Sequence, residues 1–348
     1  MSNNPFTLMY GMPAPSIISR AEHEATILKS FTIDNSLRTF YITGIRGCGK
    51  TVFLRNVCST INKIDNWIVL EVNSQGEILE SIANKLYSKS IDAKLLEGWS
   101  ISINLPGVTI TKNQQNTISD PEIIIEKLLE RLSNKSKNIL IAIDEVTNTH
   151  EFKKFVNFFQ TMIGKGFNFY LLMTGLIENF NLIINDKAMT FLTRAPKIEL
   201  EPLSQISIAL EYQRIFNINK ELAVNMAKLT NGYAFAYQVL GYYFYESKAQ
   251  SLNDDFISQY DTYLWNNGYN KFWNDLTKTD KKFVVALAQS NAGKKEEIIS
   301  TGGFSKTNFS QYRKRLIEKG LVASTDYDKL EFVLPRFKEF VLYAKDFI

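Results

Sequence analysis

The chain is short of the residues that crosslink, ligate metals or anchor in lipid. Its 348 residues include only two cysteines, Cys48 and Cys58, and two histidines. Two cysteines cannot build a disulfide framework, so a reducing, cytoplasmic setting is expected. With no Cys/His cluster there is no transition-metal centre to propose. No stretch approaches twenty consecutive apolar residues, and the opening MSNNPF lacks a basic flank and an apolar core. Neither a membrane span nor a secretory leader is expected. There is no low-complexity linker and no internal repeat. Aromatic residues, by contrast, are plentiful: 24 Phe and 16 Tyr, in a chain that is 45% hydrophobic and 22% charged. That is ample for a large core and for two or three domains. The net charge of +4 is unevenly spread, because fifteen Lys/Arg face ten Asp/Glu from Lys271 onward. This tail therefore carries +5 and the first 270 residues carry −1. Such an asymmetry points to a polyanionic partner at the C-terminal end.

The most specific signal is Gly44-Ile45-Arg46-Gly47-Cys48-Gly49-Lys50-Thr51, a complete G-x-x-x-x-G-K-[ST]. A β-branched and aromatic stretch, Thr39 to Thr43, feeds it, and an apolar helix start (Val52, Phe53, Leu54) leaves it. Glycines let consecutive N–H groups turn toward a phosphate without interference from Cβ. The following helix N-terminus contributes partial positive charge, and Lys50 contributes a full one. The Thr51 hydroxyl is placed to ligate Mg²⁺. The motif implies binding of a nucleoside triphosphate.

Such a loop calls for a second element, a buried strand ending in an acidic residue beside it. Asn138-Ile-Leu-Ile-Ala-Ile-Asp144-Glu145-Val supplies it. Five successive apolar residues suit a central parallel strand covered on both faces. Asp144 emerges at its carboxyl end, where it would hold the Mg²⁺ water shell opposite Thr51. Glu145 is the natural base to orient and deprotonate an attacking water, which favours hydrolysis over binding alone.

Strand and helix alternate through the first 201 residues, so we expect an α/β fold: a P-loop core on a doubly wound parallel sheet. Strands are expected at 67–72, 138–144, 168–173 and 197–200, and helices at 76–89, 120–133 and 150–163. One segment, 99–112, alternates with period two about Leu105-Pro-Gly107 and reads as a hairpin insertion, either decorative or partner-binding. Residues 202–273 read as an all-α lid, with an aromatic helix at Tyr233 to Tyr245 expected to form bundle core. Residues 274–348 read as helix, helix, turn, helix and two short strands, the winged-helix pattern. Thr279-Asp280 is expected to cap its first helix and Ser305 its third, which Gly320 ends. On that third helix Phe309, Tyr312 and Leu316 share one face, while Lys306, Thr307, Gln311, Arg313, Lys314 and Arg315 are candidates for contact with duplex DNA. Protein contact is the alternative.

Taken together, GIRGCGKT, IAIDEV, the lid and the terminal domain resemble AAA+ ATPases of the origin-recognition and archaeal-ATPase type, relatives of the STAND switch ATPases. The resemblance spans about Pro13 to Leu342 and implies ATP and Mg²⁺ as ligands. It implies that Ile17, Ile18 and Arg20, within Ile17-Ile-Ser-Arg-Ala-Glu-His-Glu24, lie at the family's entry motif, with the two isoleucines against the adenine. It places Thr174 at the sensor position that meets the γ-phosphate or attacking water. It gives Arg194, in Phe191-Leu-Thr-Arg194, the role of an arginine reaching a nucleotide, often that of a neighbour in a homo-oligomer. In one respect the chain departs from the pattern: Thr230-Asn-Gly-Tyr-Ala-Phe235 holds neither the lid arginine of the replication branch nor the Gly-x-Pro of the STAND branch. The expected function is an ATPase switch acting through its winged helix, with a slowly hydrolysing protein-contact scaffold as the alternative. A small-molecule kinase is disfavoured, since no acceptor-site carboxylate or basic clamp is visible.

Overall fold

The computed structural model describes residues 4–9, 14–89, 120–326 and 328–347, together with the backbone of 100–101 and 117–118. Two compact units emerge, one comprising Arg20–Thr43 and Lys50–Glu199, the other Met1–Ser19, Gly44–Gly49 and Leu200–Ile348.

The first unit runs α1 (Ala21–Thr32), β1 (Thr39–Thr43), α2 (Lys50–Ile61), β2 (Trp67–Asn73), α3 (Ile78–Lys89), β3 (Ser100–Ile101) and β4 (Thr117–Ile118). It continues through α4 (Pro121–Ser133), β5 (Asn138–Asp144), α5 (His150–Gly164), β6 (Phe169–Gly175), α6 (Ile177–Ile184), a 3₁₀ segment Lys187–Arg194 and β7 (Lys197–Glu199). Five strands form one parallel sheet in the order β2-β5-β6-β1-β7. Strand β6 therefore separates β1, which feeds the glycine loop, from β5, which ends in Asp144. Both faces are covered. Phe31 of α1 packs on Phe40, Trp67 and Tyr170, while Leu79, Ile82 and Leu86 of α3 join Ile125, Leu128, Phe155 and Phe159 on the opposite face. The spacing of those α3 residues is helical, and each buried Leu or Ile contributes roughly 1.5–3 kcal/mol. Pro121 at the first turn and the Asp120 carboxylate, which accepts from the Glu122 amide at 2.9 Å, fix where α4 begins. The expected hairpin at 99–112 lies outside the described residues apart from Ser100 and Ile101, which pair in parallel with Thr117 and Ile118.

The second unit contains α7 (Gln205–Phe216), α8 (Lys220–Thr230), α9 (Ala234–Ser247), α10 (Asp254–Leu264), a π turn Trp265–Tyr269 and α11 (Asn270–Asn274). There follow α12 (Lys278–Gln289), α13 (Lys295–Gly302), α14 (Lys306–Glu318), the antiparallel pair β8 (Val322–Asp326) and β9 (Lys329–Phe332), and α15 (Phe337–Ala344). One apolar cluster links Phe6, Tyr237 and Phe244 to Phe283, Leu316 and Phe340, so the segments on either side of residue 273 share a core. The aromatic helix α9 buries Tyr237 and Phe244 there, against Tyr212 and Phe216. Helix α12 starts two residues earlier than the expected Thr279-Asp280 cap, with Thr277 as its N-cap. The Thr277 hydroxyl accepts from the Asp280 amide at 3.1 Å, and the Asp280 carboxylate accepts from the Thr277 amide at 3.3 Å. This reciprocal box satisfies two end amides at once, which a cap at Thr279 could not. No helix among the described residues is long and apolar enough to cross a membrane.

Candidate functional site

The loop after β1 takes its shape from three glycines. Gly44, Gly47 and Gly49 have φ of 152°, 74° and 96°, in the range where a Cβ is disfavoured. At Gly47 there is also no room, because a Cβ would overlap the hydroxyl of Tyr233. The Gly47 carbonyl accepts from the Phe235 amide at 3.1 Å, the second residue of α9. That bond fixes the carbonyl outward from the loop, which is the disposition that leaves loop amides available to an anion. Burial pushes the Tyr233 phenol well above its ordinary value, so the hydroxyl stays neutral. Lys50 and Thr51 then open α2, whose N-terminus carries the favourable partial charge.

At the carboxyl end of the sheet the geometry is one of directional bonds. Thr51 Oγ1 donates to Asp144 Oδ2 at 2.6 Å, and Thr174 Oγ1 donates to Asp144 Oδ1. Thr174 is fully buried on β6, between the other two strands, and its hydroxyl also accepts from the Glu145 amide at 3.0 Å. Its carbonyl accepts from the Val146 amide at 2.8 Å. These bonds hold Glu145 at φ 53°, a left-handed conformation that costs a non-glycine residue on the order of 1 kcal/mol. The result is a partly buried Asp144 beside an exposed Glu145. A hydroxyl has a single proton to donate, and that of Thr174 is engaged by Asp144. In this arrangement Thr174 holds the acidic pair, where the family resemblance gives it a phosphate or a water.

A hydroxyl and a carboxylate converging within 2.6 Å offer hard oxygen donors, a set that fits Mg²⁺ completed by phosphate and water. Among the described residues no group of three or more His, Cys, Asp or Glu could hold a metal by itself.

The remaining candidates belong to several different elements. Ile17 and Ile18 are partly buried in the second unit, where Ile18 packs on the shared apolar core, whereas Arg20 precedes α1 in the first. Arg194 is exposed at the end of its 3₁₀ segment. On α14, Lys306, Thr307, Gln311 and Lys314 are exposed. Arg313 Nη2 donates to Ser324 Oγ at 2.7 Å. Arg315 is turned inward: its guanidinium stacks on Tyr312 and donates to Asp280 Oδ1, with Nε at 2.7 Å. Burial would raise the Asp280 carboxyl, but Arg315, Thr277 and Lys319 outweigh it and hold the group below its ordinary value. Tyr233 and Phe235 were not foreseen as loop contacts, although the unusual stretch Thr230–Phe235 marked their position.

Residues 22–173 match a family described as an ATPase domain predominantly from Archaea. Residues 266–341 match a Domain of unknown function (DUF8462). Comparison with curated proteins gave no match. Among solved structures the chain is similar to the Walker-type ATPase of Pyrococcus abyssi, at 14% identity and TM-score 0.68 over 97% of this chain and 99% of that one. It is also similar to the ORC2 protein of Aeropyrum pernix, solved in ADPNP–ADP complexes, at 14% identity and TM-score 0.61 over 99% of both chains. The Cdc6p of Pyrobaculum aerophilum matches at 14% identity and TM-score 0.50, over 99% of this chain and 97% of that one. At such identities the likeness is one of fold: a P-loop NTPase core of five parallel strands flanked by helices, followed by a helical C-terminal region.

Proposed function

We propose that this protein is a Mg²⁺-dependent AAA+ ATPase in which the nucleotide state of the Gly44–Thr51 loop governs a C-terminal winged helix. The observation that carries the reading is the bond from Thr51, in the glycine-lysine-threonine loop, to Asp144, at the end of a buried parallel strand. Loop amides and Lys50 would bind the phosphates, Thr51 and Asp144 would hold Mg²⁺, and Glu145 would orient and deprotonate the attacking water. The metal would supply charge neutralisation at the β- and γ-phosphates. The test is ATP binding by Lys50→Ala. Loss of charge-assisted bonds to phosphate is worth roughly 1.5–3 kcal/mol, so affinity should fall about tenfold or more. Unchanged affinity in a folded variant would overturn the reading.

The exposed Lys306, Thr307, Gln311 and Lys314 on α14 support duplex DNA as the partner of the terminal domain. Binding should then weaken by roughly one power of salt per phosphate contact. Absence of binding to duplex or single-stranded DNA in any nucleotide state would assign the domain to protein contact. The scaffold reading draws on one observation, a lid that sets Tyr233 against Gly47 and carries no arginine in Thr230–Phe235. Tightly co-purified nucleotide with negligible turnover would favour it. Arg194, exposed at the end of its 3₁₀ segment, is assigned to a nucleotide, in its own subunit or, in the case to be tested, in a neighbour. Specific activity should then rise with protein concentration, and turnover that survives Arg194→Ala would remove it.

A further inference from the structure

The tip of the phosphate loop does not end at the lid. Gly320, which follows α14, has φ 68° and donates its amide to the Ile317 carbonyl at 2.8 Å, while Leu321 donates to Leu316 at 3.1 Å. This double bond pattern closes the helix through a left-handed residue. A Cβ at position 320 would overlap Cγ2 of Ile45, the second residue of the loop, which packs on the apolar core of the same unit. The next residue, Arg46, reaches Asp275 at 3.7 Å, a half-exposed pair of little weight. The residue after that, Gly47, meets Tyr233 and Phe235. Three consecutive loop residues thus rest on three separate parts of the C-terminal unit.

We propose that Gly320 is a positioning residue for nucleotide binding: the end of α14 seats Ile45 and thereby sets the conformation of the phosphate loop. This inference rests on the reading of that loop as a nucleotide site and names the contact through which the terminal domain and the nucleotide communicate. Ile45 contributes only its backbone toward a phosphate, so its side chain is available to be gripped from outside. The coupling is reciprocal, as any coupling between binding equilibria must be. A phosphate that reshapes the loop moves Ile45 against Gly320, and a partner that shifts the end of α14 alters nucleotide affinity.

The structure provides its own control. Gly303, after α13 in the same domain, has φ 60° and nothing within 4 Å of the position its Cβ would take. Gly303→Ala and Gly320→Ala therefore carry the same backbone penalty, and only Gly320→Ala strikes the loop. Titration of full-length protein with a fluorescent ADP should show Gly320→Ala weaker than Gly303→Ala by at least about fivefold, the low end of ordinary site-to-site coupling. Adding Ile45→Ala to Gly320→Ala should make room for the new methyl and recover most of that loss, which a merely structural role for Gly320 would not produce. Equal affinities for the two glycine variants, or no recovery in the double variant, overturn the inference. Should Gly320→Ala alone fail to fold, regain of folding with Ile45→Ala supports the seat and failure to regain it overturns it. Should the parent bind no nucleotide, the reading of the loop fails. The seat is then judged by melting temperature, where Gly320→Ala must lie below Gly303→Ala and rise with Ile45→Ala.

Discussion

The candidate residues in the two units are held by opposite means. At the sheet, Asp144 accepts from two hydroxyls and Glu145 is pinned by an amide bond to a fully buried threonine. The loop Gly44–Gly49 instead depends on fit: glycines that admit Tyr233, an isoleucine seated at Gly320, and one main-chain bond from Phe235. Directional bonds to buried partners are stiff, because each loses strength quickly with angle and strands a polar group if broken. Contacts of shape yield more gradually. Groups proposed to act on the reacting atoms occupy the stiff half, and groups proposed to report occupancy occupy the compliant half.

The sharpest way to break this division is at Glu145. Glu145→Gln keeps its size and hydrogen bonding but removes the base, so phosphate release should fall by about 10²-fold or more while ATP still binds. Parent-like turnover would move the base elsewhere. Next in size is Arg315→Ala, which strips the fully buried Asp280 of its main counter-charge. Loss of about 3 kcal/mol is expected, the lower end for such pairs because Lys319 remains at 3.5 Å. Lys314→Ala, on the exposed side of the same helix, should cost less than about 0.5 kcal/mol in the same denaturation assay. If the two are equal, Arg315 is not the anchor the geometry makes it.

A smaller effect is expected at Thr174. Thr174→Val leaves the Glu145 amide without its acceptor and Asp144 without one donor, at a cost of roughly 1–3 kcal/mol in stability. Thr174→Ser should restore both that stability and hydrolysis. If Ser restores folding but not turnover, the methyl also matters to catalysis. Acid provides a gentler probe. Because the folded Asp280 carboxyl lies below its ordinary value of 3.8, its stabilisation is fully present at higher pH and is lost as pH falls beneath that value. Asp280→Asn should flatten that acid limb of the stability curve. Least affected should be Arg46→Ala, since a half-exposed pair at 3.7 Å contributes less than about 1 kcal/mol. A large loss of nucleotide affinity there would show the compliant half to be held by charge after all.

Much of the fold was legible because its signals are local. The apolar run Ile139–Ile143 reads as a doubly covered strand, and Ser305 with Gly320 brackets α14 at both ends. Apart from Thr51 with Asp144, which the motifs brought together, pairings between distant residues were not legible. Nothing in Phe169–Gly175 says that it inserts between β1 and β5, and Arg315 gives no sign that its partner lies 35 residues earlier. Helix α15 escaped notice because Pro335 reads as a terminator, although Phe337, Phe340, Val341 and Ala344 behind it carry helical spacing. The acidic pair was recognisable by type and position. The left-handed turn at Glu145 was not, since glutamate is a residue that ordinarily avoids it.

The composition of the second unit bears on the order of synthesis. It gathers Met1–Ser19, Gly44–Gly49 and Leu200–Ile348. Chains emerge from the ribosome N-terminal end first, and units tend to fold as they are completed. The sheet of the first unit can therefore assemble as soon as residue 199 is free. The glycine loop, made before the rest of its unit's helices, waits without its seat until Tyr233 and Gly320 have been translated. A nascent chain halted after β7 would carry every residue of the glycine-rich motif and still lack Tyr233 and Gly320, the contacts that shape its loop.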